Sequence, residues 1–248
     1  MIIFYIILFA YGAVIGSFVN VLIYRLPEHQ DVVRVRSHCT SCGYQLRWFD
    51  LIPIVSWVIY GGRCRKCGSR ISVQYPFIEA LNGVLYILAG VKYSFSIRCL
   101  LVCLTMSALV AIAVIDLRTF IIPPSLNLFI GIMGVIGIIT DPQGMIKYLA
   151  GLFSVSLLLL LIYLISRGRA IGGGDIKLMA ASGLLLGWQL NILAFFIGCI
   201  LGSIIHPLRM KLTGAGKVLA LGPYLAAGII ISLLWGDEMI AAYLRLYI

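Results

Sequence analysis

The sequence predicts an all-α fold: a polytopic membrane helix bundle of about eight transmembrane helices, with a small four-cysteine insert after the first. Three observations carry this. Of 248 residues, 62% are hydrophobic and 11% charged, well outside the usual shares of a soluble domain. The apolar residues fall into runs, several of them near the roughly 20 residues that carry a helix across a bilayer. One sizeable polar segment, 25–73, interrupts the series and holds four of the seven cysteines.

The runs lie near 1–24, 74–91, 99–116, 125–140, 146–165, 175–190, 191–208 and 219–244. They are continuously apolar and do not alternate, which excludes a β-barrel. The first has no basic n-region and no clean cleavage site, so it is expected to be a retained span and not a removed signal. The sixth is short and Gly-rich, consistent with tilt or partial insertion. Three regions follow: 1–24 as a first transmembrane helix, 25–73 as a cytoplasmic four-cysteine domain, and 74–248 as the helix bundle.

A net charge of +10 raises nucleic acid as a partner, but in a membrane protein Lys and Arg collect in cytoplasmic loops and set orientation. With 25–73 inside and a crossing at each later run, 15 of the 19 basic residues fall inside, among them Arg118, Arg167, Lys177 and Lys217. Four, Lys92, Arg98, Lys147 and Arg245, fall outside. The bias places both termini outside and the insert in the cytoplasm. It points to the lipid bilayer as a partner and away from nucleic acid.

Cys39-Thr-Ser-Cys42 and Cys64-Arg-Lys-Cys67 are two C-x-x-C knuckles, each followed by Gly (Gly43, Gly68). Four thiolates at this spacing suit a tetrahedral structural zinc site. Disulfides are the competing reading and rarely persist in a reducing cytosol. A closed site of four thiolates has no open position for catalysis. Cys99, Cys103 and Cys199 lie in apolar runs and are expected to be ordinary buried thiols.

Three of the nine acidic residues, Glu79, Asp116 and Asp175, lie within or at the edge of apolar runs. An ionisable group there is costly and marks a functional site by default. Asp116 ends the third run before Pro123 and Pro124. Asp175 opens the sixth after Gly172-Gly173-Gly174, which would let another backbone approach. On the topology above, both sit at the cytoplasmic ends of their helices. Two carboxylates sharing a proton can split duties, one taking a proton from water while the other polarises a carbonyl. On these residues alone other readings stand beside a catalytic pair: a helix cap, an ion-pair partner of Arg118 or Lys177, or a proton-coupled carrier. A carrier would call for matched broken helices at the midplane, which this sequence lacks.

The string Gly172-Gly-Gly-Asp175-Ile-Lys177-Leu-Met-Ala resembles the GxGD signature of membrane aspartyl proteases, in the form found in type IV prepilin peptidases. Further segments match in order. They are Gly16-Ser17 through Asn20 to Arg25-Leu-Pro27, the knuckles around Trp48-Phe-Asp50-Leu-Ile-Pro53, and Gly61-Gly62-Arg63-Cys64. Tyr75-Pro76-Phe-Ile-Glu79, Ile115-Asp116-Leu-Arg118 and Leu221-Gly222-Pro223-Tyr224 complete the set. Leu51 and Pro124 depart from it, standing where the family often has Asn and Asp.

The resemblance implies a bifunctional enzyme of the bacterial cytoplasmic (inner) membrane. Such an enzyme removes the basic leader of type IV prepilins or pseudopilins after a Gly. It then N-methylates the new terminal residue with S-adenosylmethionine. Asp116 and Asp175 would be the catalytic pair, with Cys39, Cys42, Cys64 and Cys67 as the zinc set. Gly62 and Arg63 correspond to the methyl-transfer segment, although no glycine-rich fingerprint for a soluble-type cofactor fold is present. Glu79 is a candidate for binding the cofactor or a substrate amine, a buried pairing with a basic group being the alternative.

Overall fold

The computed structural model describes residues 2–213, 216 and 218–246; Lys217, counted above among the inside charges, lies outside them. Among the described residues every element beyond turns and two isolated β-bridges is helical. Its helices are α1 (Ile2–Arg25), α2 (Val55–Ile59), α3 (Gln74–Tyr93), α4 (Ile97–Thr119), α5 (Pro124–Thr140) and α6 (Met145–Ser154), followed by α7 (Ser156–Ser166), α8 (Gly173–Leu186), α9 (Trp188–Thr213) and α10 (Gly222–Arg245). Five stretches are long and apolar enough to cross a membrane: Ile2–Arg25, Ile97–Thr119, Pro142–Ser166, Trp188–Leu212 and Gly222–Arg245. The chain is a multi-pass membrane protein.

Every apolar run of the sequence is found as a helix, with two corrections of detail. The run at 146–165 is broken at Val155, where the Ser156 hydroxyl donates to the Leu152 carbonyl, the kind of back-bonding that bends helices. The run at 175–190 begins earlier, at Gly173, and ends at Leu186 because Gly187 adopts φ +77°. Its 14 residues span about 21 Å at 1.5 Å per residue. That is short of the ~30 Å hydrocarbon core.

The chain divides into two compact units, Met1–Cys99 and Leu100–Ile248. In the first, α1 and α3 pack through small residues. A Cβ on Gly16 would lie 2.8 Å from the Glu79 Cα, so only Gly lets the two backbones come this close. Buried amides lock the register: Asn82 Nδ2 donates to the Gly12 carbonyl at 2.7 Å, and Asn20 Nδ2 to that of Tyr75 at 3.2 Å. The insert between the helices holds two short hairpins, a 3-10 turn over Trp48–Leu51 and α2.

In the second unit α8 packs on α5 and α6. Gly183 and Gly151 meet so closely that a Cβ on either would lie 2.1–2.2 Å from the other's carbonyl oxygen. Asn191, fully buried on α9, donates to the Gly151 and Met179 carbonyls and to Ser154, and accepts from Ser182. Unsatisfied amides are costly in an apolar interior, so this satisfied hub fixes α8, the helix that carries Asp175. Of the five membrane-length stretches α4 is the most enclosed, with 72% of its apolar window buried. Such burial suits a helix that is apolar all round.

Candidate active site and cysteine centre

Asp116 lies near the end of α4, which runs three residues past it to Thr119. It is buried, and its Oδ2 accepts the Gly222 amide at 2.9 Å. Gly222 is the first residue of α10, so the carboxylate meets one of the four orphan N–H groups of a helix start. The fit leaves no room for a side chain, since a Cβ on Gly222 would stand 2.7 Å from that oxygen.

Asp175 is the third residue of α8 and equally buried. Standing in the first turn of α8, its carboxylate lies at the positive end of the helix dipole, as the helix-cap reading from the sequence had it. Its Oδ1 is buried with no hydrogen-bond partner. The charges of Asp116 and Asp175 act on one another, so residues 59 positions apart are brought to one place within the second unit.

The three glycines before Asp175 differ in their surroundings. A Cβ on Gly174 would meet Ile122 at 2.9 Å, whereas one on Gly173 would meet nothing within 4 Å. Packing against the Ile122-Pro123 turn demands the former, and the latter leaves open space on the approach to Asp175. Asn127 on α5 donates from Nδ2 to the Gly174 carbonyl at 3.3 Å. Its own Oδ1 is buried without a partner. Neither Asn127 nor the Gly222 amide was singled out for this site by sequence reasoning. The motif around Gly222 was visible, but its contact with Asp116 was not.

The four cysteines form the second constellation. In each knuckle the first Cys amide donates across the turn, Cys39 to the Tyr44 carbonyl and Cys64 to that of Ser69. The following Gly then bonds back to the first Cys carbonyl. Gly43 and Gly68 sit at φ +69° and +71°, a left-handed turn that glycine adopts without strain. The four Sγ atoms lie within 4.8 Å of one another, with Cys39 and Cys67 at 3.9 Å, and none is in a disulfide. Tetrahedral zinc with bonds of about 2.3 Å requires sulfurs roughly 3.8 Å apart, so this donor set fits a metal ion. The Ser69 hydroxyl lies 3.1 Å from Cys67 Sγ and 3.6 Å from Cys39 Sγ. Together with the Cys42 and Ser41 amides it lowers the Cys39 thiol to about 6, favouring the thiolate a metal needs. Cys99 and Cys103 are buried as expected, and Cys199 is half-buried.

The remaining candidates belong to the first unit. Gly62 is buried at φ +66°, and a Cβ there would stand 2.7 Å from the Trp57 ring. Arg63 is exposed. Glu79 is buried and accepts the Ile54 amide at 2.7 Å and a bond from Ser17. The bonds found for Glu79 are therefore a backbone amide and a hydroxyl, where sequence reasoning had weighed a basic partner. Gly62 and Glu79 both hold α2, Gly62 against the ring of Trp57 in its middle and Glu79 at the amide of its N-cap, Ile54.

Two family descriptions match the chain, a bacterial peptidase A24 N-terminal domain over residues 10–93 and the type IV leader peptidase family over 103–206. A prepilin leader peptidase/N-methyltransferase of Bacillus subtilis (strain 168) is 32% identical over 97% of this chain and 98% of its own. The chain belongs to the type IV leader peptidase family. Proteins of the same name from Pseudomonas putida and Dickeya chrysanthemi are 30% and 33% identical, covering 95% and 91% of this chain and 92% of each relative. No solved structure matches it. As a member of this family the chain is a membrane aspartic peptidase, and the reading of its carboxylates as those of a carrier finds no support.

Proposed function

We propose that this leader peptidase removes the basic leader of type IV prepilins or pseudopilins, with Asp116 and Asp175 as its catalytic pair, and N-methylates the exposed residue. The observation that carries the cleavage reading is the pairing of two buried carboxylates at helix ends. One is held by the Gly222 amide, and the other keeps a bare oxygen. In the reaction the ionised carboxylate takes a proton from water as the water oxygen bonds to the scissile carbonyl carbon. The neutral carboxyl donates a hydrogen bond to the carbonyl oxygen. The C–N bond then breaks and the leaving amine takes up the proton, with no covalent enzyme intermediate. The space beside Gly173 suits an extended substrate backbone.

The orientation is read from charge. Eight spans, with 15 of 19 basic residues on one side, place the insert and both aspartates at the cytoplasmic face of the inner membrane. Residues 1–24 then form the first span, 25–73 the cysteine domain with the methyl-transfer region, and 74–248 the peptidase bundle. Cys39, Cys42, Cys64 and Cys67 hold a structural zinc that keeps the two knuckles together.

Methyl transfer is supported by the relatives' shared name, and S-adenosylmethionine supplies the methyl group when bound. Of the three positions assigned to that activity only Arg63 is open to a ligand. Gly62 is covered by Trp57, and Glu79 is engaged by Ile54 and Ser17. Those two residues shape the fold around a cofactor site more readily than they touch the cofactor. The decisive assay incubates purified enzyme with a prepilin precursor, with and without S-adenosylmethionine. Shortening of the precursor in both arms and methylation in the first are expected. A precursor left intact in both arms contradicts the proposal.

A further inference from the structure

The cysteine insert carries a surface that the peptidase reading does not use. Between the knuckles, Leu51-Ile-Pro-Ile-Val-Ser-Trp-Val-Ile59 contains no charged residue. Across its 3-10 turn and α2, Trp48, Leu51, Ile52, Val55, Val58 and Ile59 are exposed, Trp48 78% and Ile59 70%, while Phe49, Pro53, Ile54 and Trp57 are half-buried. An apolar stripe of this extent facing water marks a partner.

The depth at which the stripe is held identifies that partner. The Ile54 amide is bound to Glu79, and the Glu79 Cα lies against Gly16 of α1. Gly16 and Ser17 stand eight or more residues inside the membrane-crossing stretch that ends at Arg25, about 12 Å along the helix axis. The segment is therefore anchored at a level within the apolar length of α1, not beyond it. The one acid of the segment, Asp50, is taken up by the Arg47 amide and the Tyr44 hydroxyl. The exposed charges beside the segment are basic, Arg47 next to Trp48 and Arg65 over the Phe49 and Tyr60 rings, with Arg63 and Arg70 exposed in the same insert. Apolar side chains with a Trp, rimmed by Arg, are the composition of an element lying in the boundary between headgroups and acyl chains.

We propose that the Trp48–Ile59 segment is a membrane-embedded interfacial element, its outward stripe immersed in the bilayer leaflet on the insert's side and its basic rim on anionic headgroups. The cysteine centre is thereby fastened to the membrane surface by its own middle segment as well as by the two helices that flank it.

The test uses the full chain in vesicles of phosphatidylethanolamine and phosphatidylglycerol, with part of the lipid brominated at the 6,7 position of an acyl chain. Trp48 emission is the difference between wild type and Trp48→Phe. The bromolipid is expected to remove most of that difference, and aqueous iodide little of it. The double variant Trp48→Phe/Ile59→Trp, which moves the reporter to the far end of the stripe, should gain emission that the bromolipid quenches. Quenching by iodide and not by bromolipid would mean the stripe faces water. Quenching by neither would mean protein covers it, a second copy or another part of the chain. Either result overturns the proposal.

Discussion

Gly222 tests how tightly the candidate site is built. Its amide holds Asp116, and its missing side chain leaves room for the carboxylate. Gly222→Ala places a methyl 2.7 Å from Oδ2, closer than the two atoms can stand, so the carboxylate must move. A displacement near 1 Å in a catalytic group costs up to on the order of a hundredfold in rate. Cleavage of a prepilin precursor should fall by that order while the thermal melt in detergent stays close to wild type. Unchanged cleavage would remove the Gly222 contact from the mechanism. At this scale the sequence is half legible. Asp116 and Asp175 stand out because carboxylates at the edges of apolar runs are rare and costly. The groups that position them do not stand out, because Gly222 is 106 residues from Asp116 and Asn127 is 47 from Gly174. A glycine or an asparagine gives no sign of such a distant partner.

The knuckles are the most legible element, since ligand spacing and turn geometry are both local. Purified protein should carry about one zinc per chain, as a single four-cysteine site requires. Because all four ligands must be thiolates, protons compete with the metal for the site. The purified protein should keep its metal at neutral pH and release it on progressive acidification, which metal analysis after stepwise acid dialysis would register. No metal at neutral pH would contradict the assignment. Gly62→Glu forces a side chain into a left-handed turn and against the Trp57 ring. It should reduce methylation more than cleavage in paired assays of one preparation; an equal loss of both would show that the two activities are not separable. Less local features of the elements escaped the sequence. The break at Val155 lies inside an uninterrupted apolar run, and hydropathy alone did not show that α8 stops at Gly187. The outward stripe from Trp48 to Ile59 also sits in a segment whose average polarity conceals it.

At the scale of the whole molecule, the eight-span topology rests on the asymmetry of Lys and Arg. Alkaline phosphatase, active only outside the cytoplasm, should be active when fused after Thr140 and inactive when fused after Ser166. The reverse pattern would invert the site relative to a cytoplasmic leader. The central claim is that one peptidase site needs both carboxylates, and the most direct test is precursor cleavage by Asp116→Asn and Asp175→Asn beside wild type. Each variant keeps the size of the side chain and removes the titratable group. Relief of a buried charge should leave the bundle as stable as before or more so. Both variants are predicted to melt normally and to leave the precursor uncut. A variant that melts normally and cuts at the wild-type rate would contradict the account.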